Sequence, residues 1–151
     1  TGVRVAELIN LKNDQLNLNE CMMKVLGKGN KERMIPLSTG LTDQIRLYMK
    51  EKIVTGRNAA ETLLVGKKGK SLYPEYAYQA VKKYLSQVTT ISKKSPHVLR
   101  HSFATDLMNH GADLNPVKEL HGHASLADTQ LYTHNSIEKL REVHKKTHPR
   151  D

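Results

Sequence analysis

Cysteine occurs once in these 151 residues, as Cys21. One thiol makes neither an intrachain disulfide nor a cysteine-rich zinc site, which fits a reducing compartment and leaves Cys21 to pack in or beside a strand. Long apolar runs are missing too: no window comes near the roughly 18 to 20 residues of a membrane span. The amino end has no basic-then-apolar leader, so the chain reads as cytoplasmic. There is no internal repeat, low-complexity tract or long linker, and 151 residues suit one compact domain with one core. Acidic residues are also scarce. Fifteen Asp and Glu face 24 Lys and Arg, for a formal charge of +9 and a pI near 9.7. That excess favours a polyanionic partner, nucleic acid first, through counterion release. Charge alone fits a merely basic soluble protein equally well, because it says nothing about clustering.

Local patterns give the elements. Val5, Leu8, Ile9 and Leu11 follow Arg4 at helical spacing, predicting a helix over residues 4–12 with Arg4 in its first turn. From Leu16 to Leu37 short apolar runs are separated by Gly27-Lys28-Gly29-Asn30, which predicts a small antiparallel sheet with Lys28 at a hairpin tip. Ser38 caps a helix carrying Leu41, Ile45, Leu47, Tyr48 and Met49, ending before Gly56. Leu63-Leu64-Val65 leads into the basic loop GKKGK. Tyr76, Ala77, Ala80, Val81, Tyr84, Leu85 and Val88 then form a core-facing stripe on a helix from about Pro74 to Thr89.

Ser95-Pro96 places an N-cap before proline at the first helical position, so His97 falls in a first turn with Arg100 one turn later on the same face. Leu99, Phe103 and Leu107 should enter the core from another face, and Gly111 supplies a stop. A short helix follows over about 114–120. Ser125 with Asp128 marks another helix start carrying Leu131 and Tyr132, and Ile137, Leu140 and Val143 predict a carboxy-terminal helix. The fold expected is α+β and mainly helical, with a three-stranded antiparallel sheet at one edge.

Arg4, Lys28, His97, Arg100, His123 and Tyr132 together have the chemistry of a phosphate-transfer centre with its own nucleophile. Two guanidiniums can clamp non-bridging oxygens, two imidazoles can move protons near neutral pH, and a phenol can attack phosphorus. Five of the six also have a plainer reading. Arg4 could pair with Glu7 across one helical turn, Arg100 could be a solvated arginine, His97 could cap and pack, and Tyr132 could be a packing tyrosine. Lys28 could be one of several phosphate-contacting cations with Lys24, Lys31 and Arg33. A phenol of pKa near 10 is only about one-thousandth phenolate at neutral pH, so Tyr132 as nucleophile needs a base or strongly positive surroundings.

The words TGVRVAEL, VLGKGNKERMIPL, SPHVLRHSFATDLMNHGADL and HGHASLADTQLYTH, taken in order, resemble the tyrosine recombinase, or phage integrase, family, with Xer-type bacterial recombinases the nearest kind. The resemblance runs the length of the chain to the closing HPRD. It implies site-specific DNA recombination. Arg4 and Arg100 would hold the scissile phosphate, His97 would act as general base, Lys28 as general acid and Tyr132 as nucleophile. His123, nine residues before Tyr132, would hydrogen-bond a non-bridging oxygen. His121 departs from the usual apolar residue and has no assigned role, and His101 is expected either to support a site residue or to pack.

The resemblance further implies a catalytic domain over residues 1–151 truncated at its amino end, with a core-binding domain and the first catalytic helices absent. The expected partners are double-stranded DNA and a homo- or hetero-tetramer on it, with Ile137, Leu140 and Val143 docking on a neighbouring protomer. Nucleoid association and a part in chromosome partition follow from the same resemblance. No cofactor is expected, since a phosphotyrosyl bond keeps the energy that religation uses. Two rivals stand beside this: a basic DNA-binding domain without cleavage, and a metal-dependent phosphodiesterase using His97 with His101 or His121 with His123. The second lacks the HExxH glutamate and clustered carboxylates, and no metal is expected.

Overall fold

In a computed structural model, residues 1–109 are described, apart from positions 59 and 67 and the side chain of Lys28, together with Val117. The elements run α1 (Val5–Asn10), β1 (Leu16–Asn17), β2 (Met22–Leu26), β3 (Glu32–Pro36), α2 (Thr39–Val54), α3 (Pro74–Val88) and α4 (Pro96–Asn109). The strands form one antiparallel sheet in the order β1-β2-β3. The chain is thus mainly helical with a small three-stranded sheet.

The hairpin pairs Met22 with Pro36 and Leu26 with Glu32. Its tip is a tight turn over Lys28–Asn30 in which Gly29 and Asn30 take φ of 74° and 60°. Those left-handed values are where glycine and asparagine are tolerated. The neck is closed by the Gly27 N–H donating to the Lys31 carbonyl at 2.8 Å. One face of the sheet, with Met23, Val25 and Ile35, joins Leu11, Leu37, Leu63, Leu107 and Val117 in the core.

Ser38 caps α2 by accepting from the Leu41 N–H at 3.3 Å, and Leu41, Ile45, Tyr48 and Met49 pack on the core. Leu47, on the same helix, is exposed. Lys52 is drawn inward from the far end of α2. Its ammonium donates to the carbonyls of Thr62 (2.6 Å) and Leu63 (3.2 Å), which pins the segment that follows.

Three expectations are corrected. The first helix ends at Asn10, not residue 12, because Leu11 turns extended: its carbonyl accepts from Leu63 N–H at 2.7 Å, and Lys12 bridges to Thr62. A cross-chain backbone bond there replaces another helical turn. The stripe of α3 does not enter the core. Ala77, Ala80, Val81 and Leu85 are half-buried, while Tyr76, Tyr84 and Val88 are exposed. In α4, Leu107 is buried and Phe103 packs on the core, but Leu99, expected with them, is exposed. The expected features at Gly111, 114–120, Ser125, Asp128, Leu131, Ile137, Leu140 and Val143 lie outside the described residues, Val117 excepted.

Candidate active site

Arg4 stands at the N-cap of α1, in extended conformation with φ −74° and ψ 152°. Glu7, one turn on, reaches back to it. Its Oε2 accepts from the Arg4 backbone N–H at 2.8 Å and its Oε1 from Arg4 Nη1 at 3.0 Å. This is the glutamate half of a capping box. The sequence fits it because position 7 is the third helical residue, where a carboxylate also meets the positive end of the helix dipole.

The same carboxylate is gripped from the sheet. Arg33, on β3, donates from Nη1 to Glu7 Oε1 at 2.9 Å and from Nη2 to Oε2 at 2.7 Å, the two-pronged geometry that makes arginine–carboxylate pairs strong. Both side chains are only 5% exposed. Burial alone would raise the Glu7 pKa. The hydrogen bonds and charge of Arg33, with the hydrogen bonds of Arg4, more than offset it and hold the carboxyl at about 2.

Arg100 reaches the same place from α4. It is buried, and its Nη1 donates to the Gly2 carbonyl, tying α4 to the segment that leads into α1. Its pKa is pushed down, first by burial and next by the positive charge of Arg4, against the opposing pull of Glu7. Arg4 and Arg33 therefore grip one carboxylate, and Arg100 lies close enough to feel the charges of all three. An anion of one or more charges placed there would relieve the repulsion between Arg4 and Arg100.

The N-terminus of α4 adds to this. Val98 N–H bonds both the Ser95 carbonyl (3.1 Å) and the Ser95 hydroxyl (3.4 Å), so the predicted serine cap forms and His97 sits exposed in the first turn. The fold thus brings Arg4 and Arg100 together, sets His97 one turn before Arg100, and carries the Lys28 backbone at the hairpin tip. His121, His123 and Tyr132 lie outside the described residues. His101 is exposed on α4, not packed.

Of the three basic residues expected to face a duplex, Lys24 is on the hairpin surface in an ion pair with Glu32 at 3.2 Å. Lys31 is half-buried. Arg33 is turned inward, which corrects its expected place among surface cations. Its strand position carried the signal: two residues from Ile35, it shares the face that β3 buries. Glu7 was visible only as a possible partner of Arg4, because nothing local in the sequence joins it to a residue 26 positions away.

Residues 1–139 match the phage integrase family. The tyrosine recombinase XerD of Pasteurella multocida (strain Pm70) is 41% identical over 155 residues, covering 99% of this chain and 52% of that protein. Among solved structures, the XerA recombinase aligns with a TM-score of 0.74 at 33% identity, over 100% of this chain and 55% of the other. The XerH site-specific recombinase bound to palindromic difH substrate, in a post-cleavage complex, aligns at 0.73 with 32% identity, over 96% and 42%. The chain spans about half the length of the curated relatives it matches. With residues 1–139 matched and 41% identity to such a relative across nearly the whole chain, this chain belongs to the phage integrase family.

Proposed function

We propose that this chain is the catalytic domain of a cytoplasmic site-specific DNA recombinase acting on duplex DNA. The observation that carries the reading is the convergence of Arg4 and Arg100, with positive charge in excess over Glu7, beside the helix terminus that bears His97. A phosphodiester is an anion that such a cluster can hold, and the same guanidiniums stabilise the charge that gathers as phosphorus becomes five-coordinate.

In the proposed reaction the Tyr132 oxygen attacks phosphorus while its proton passes to His97. The bond from phosphorus to the 5′ oxygen breaks, and that oxygen takes a proton from the Lys28 ammonium. The products are a 3′-phosphotyrosine and a free 5′ hydroxyl. His123 donates to a non-bridging oxygen. Attack of a partner duplex's 5′ hydroxyl on the phosphotyrosine then reverses the chemistry, rejoining strands and releasing Tyr132. Two such exchanges make and resolve a Holliday junction, which calls for four protomers on two sites. Ile137, Leu140 and Val143 are the proposed docking face between them. Lys24 and Lys31 are the proposed backbone contacts of the hairpin, and a role in chromosome partition is the preferred setting.

The test uses duplexes carrying a nick that lets the cleaved 5′ fragment diffuse away, first as a random-sequence library and then as the recovered site. Covalent DNA–protein product is expected in the presence of a chelator, and none with Tyr132→Phe. Binding without covalent product would point to a DNA-binding domain without cleavage. Cleavage abolished by chelator would point to a metal-dependent phosphodiesterase.

A further inference from the structure

Arg33 is not needed to hold Arg4 on Glu7. The contacts between those two, at 2.8 and 3.0 Å, lie within one helical turn and close without help from the sheet. What Arg33 adds is a tie across 26 residues, from β3 to α1, through both carboxylate oxygens. A planar fork fixed at two points sets orientation as well as distance.

The tie lies directly beneath the hairpin neck. A Cβ built on Gly27 would stand 3.2 Å from Arg33 Nη1 and 3.7 Å from Glu7 Oε1, so the Gly27 backbone rests against the ion pair. Lys28 is the next residue, and the neck above the pair is closed by the Gly27 to Lys31 hydrogen bond. The turn itself, with two residues at positive φ, is otherwise exposed at Gly29 and Asn30. The base of the turn is therefore anchored on α1 and its tip projects into solvent.

We infer that Arg33 is a positioning residue for strand cleavage: clamped on Glu7 and supporting Gly27, it sets where the Lys28 turn stands relative to the phosphate site at Arg4. The inference rests on Lys28 supplying the leaving group's proton, as proposed above. It separates two jobs around Glu7. Arg4 is held locally for phosphate binding, and Arg33 registers the hairpin for proton donation. Loss of the fork should then impair departure of the 5′ oxygen more than binding of the phosphate.

A substrate that does not need the proton distinguishes the two. The recovered duplex site is made with an ordinary scissile linkage and with sulfur in place of the bridging 5′ oxygen. A thiolate is a far weaker base than an alkoxide and departs unprotonated. Single-turnover cleavage rates are measured with wild type, Lys28→Ala, Arg33→Lys and Gly27→Ala, so that the fraction of folded protein does not enter. Arg33→Lys keeps a buried charge opposite Glu7 but cannot make two parallel bonds. Gly27→Ala changes no charge, and its φ of −93° accepts alanine.

A general acid contributes about 10²- to 10⁴-fold. Partial misplacement should therefore slow Arg33→Lys at least about tenfold on the ordinary linkage, and leave it within about threefold of wild type on the sulfur linkage. Gly27→Ala should follow the same pattern by a smaller factor. Arg33→Lys equally slow on both linkages, or unimpaired on both, would overturn the inference while Lys28→Ala alone is restored by sulfur. Lys28→Ala equally slow on both would overturn the assignment of Lys28 as proton donor, and the role of Arg33 with it.

Discussion

A carboxylate held by two guanidiniums binds its proton far more weakly in the native state than in the unfolded chain, and Glu7, at about 2, is such a group. Between that value and the ordinary carboxylate range the unfolded state binds more protons, so stability rises with pH across the window. The contribution is complete above roughly pH 4.5 and is lost as pH falls toward about 2. Glu7→Gln should lower stability near neutral pH by about 3 kcal/mol or more, because it leaves Arg33 buried without its counter-charge. Denaturant titrations at pH 7, 4 and 3 check this. The gap between wild type and variant should narrow as the pH falls, and a gap constant across the three would count against the pair as described. Glu7 and Arg33 are also where reading the sequence fell short. The basic word GKGNKER suggests surface cations, and the partner that draws Arg33 inward stands in another element.

At the scale of elements, the short-range signals were legible and the long-range ones were not. Ser38 and Ser95 start their helices, proline opens α3 and α4, and the glycine-rich turn closes the hairpin, because capping and turn chemistry act within a few residues. The end of α1 was misjudged because the backbone of Leu11 and Lys12 pairs with Thr62 and Leu63. The exposure of Tyr76, Tyr84 and Val88 was missed because periodicity shows that a helix has an apolar face, and not what lies against it. Two local contacts can be weighed directly. Ser38→Ala removes an acceptor for the Leu41 N–H and should cost about 1 kcal/mol by thermal or chemical denaturation, with cleavage unaffected. Lys52→Met leaves the Thr62 and Leu63 carbonyls without their ammonium and should cost about 1 to 3 kcal/mol. A variant as stable as wild type would show that Lys52 does not pin this segment.

For the whole molecule, a charge of +9 and the neighbouring arginines predict that the proposed DNA binding depends on counterion release as well as contact. Affinity for a short duplex should fall about a thousandfold between about 50 and 200 mM salt if some six phosphates are neutralised, and fluorescence anisotropy over that range reads the slope. A flat dependence would speak against DNA as the partner. The charge was visible in composition, and the order of Arg4, Lys28, His97 and Arg100 in the sequence. What folding adds is proximity among the arginines: Arg4 and Arg33 meet at Glu7, and Arg100, 96 positions after Arg4, lies close enough to feel its charge. The proposed nucleophile is Tyr132. The most direct measurement is therefore tandem mass spectrometry of the covalent product formed on the nicked duplex, after digestion of protein and DNA. The nucleotide remnant is predicted on Tyr132, linked through a 3′ phosphate. A remnant on another residue, or attached through a 5′ phosphate, would contradict the account.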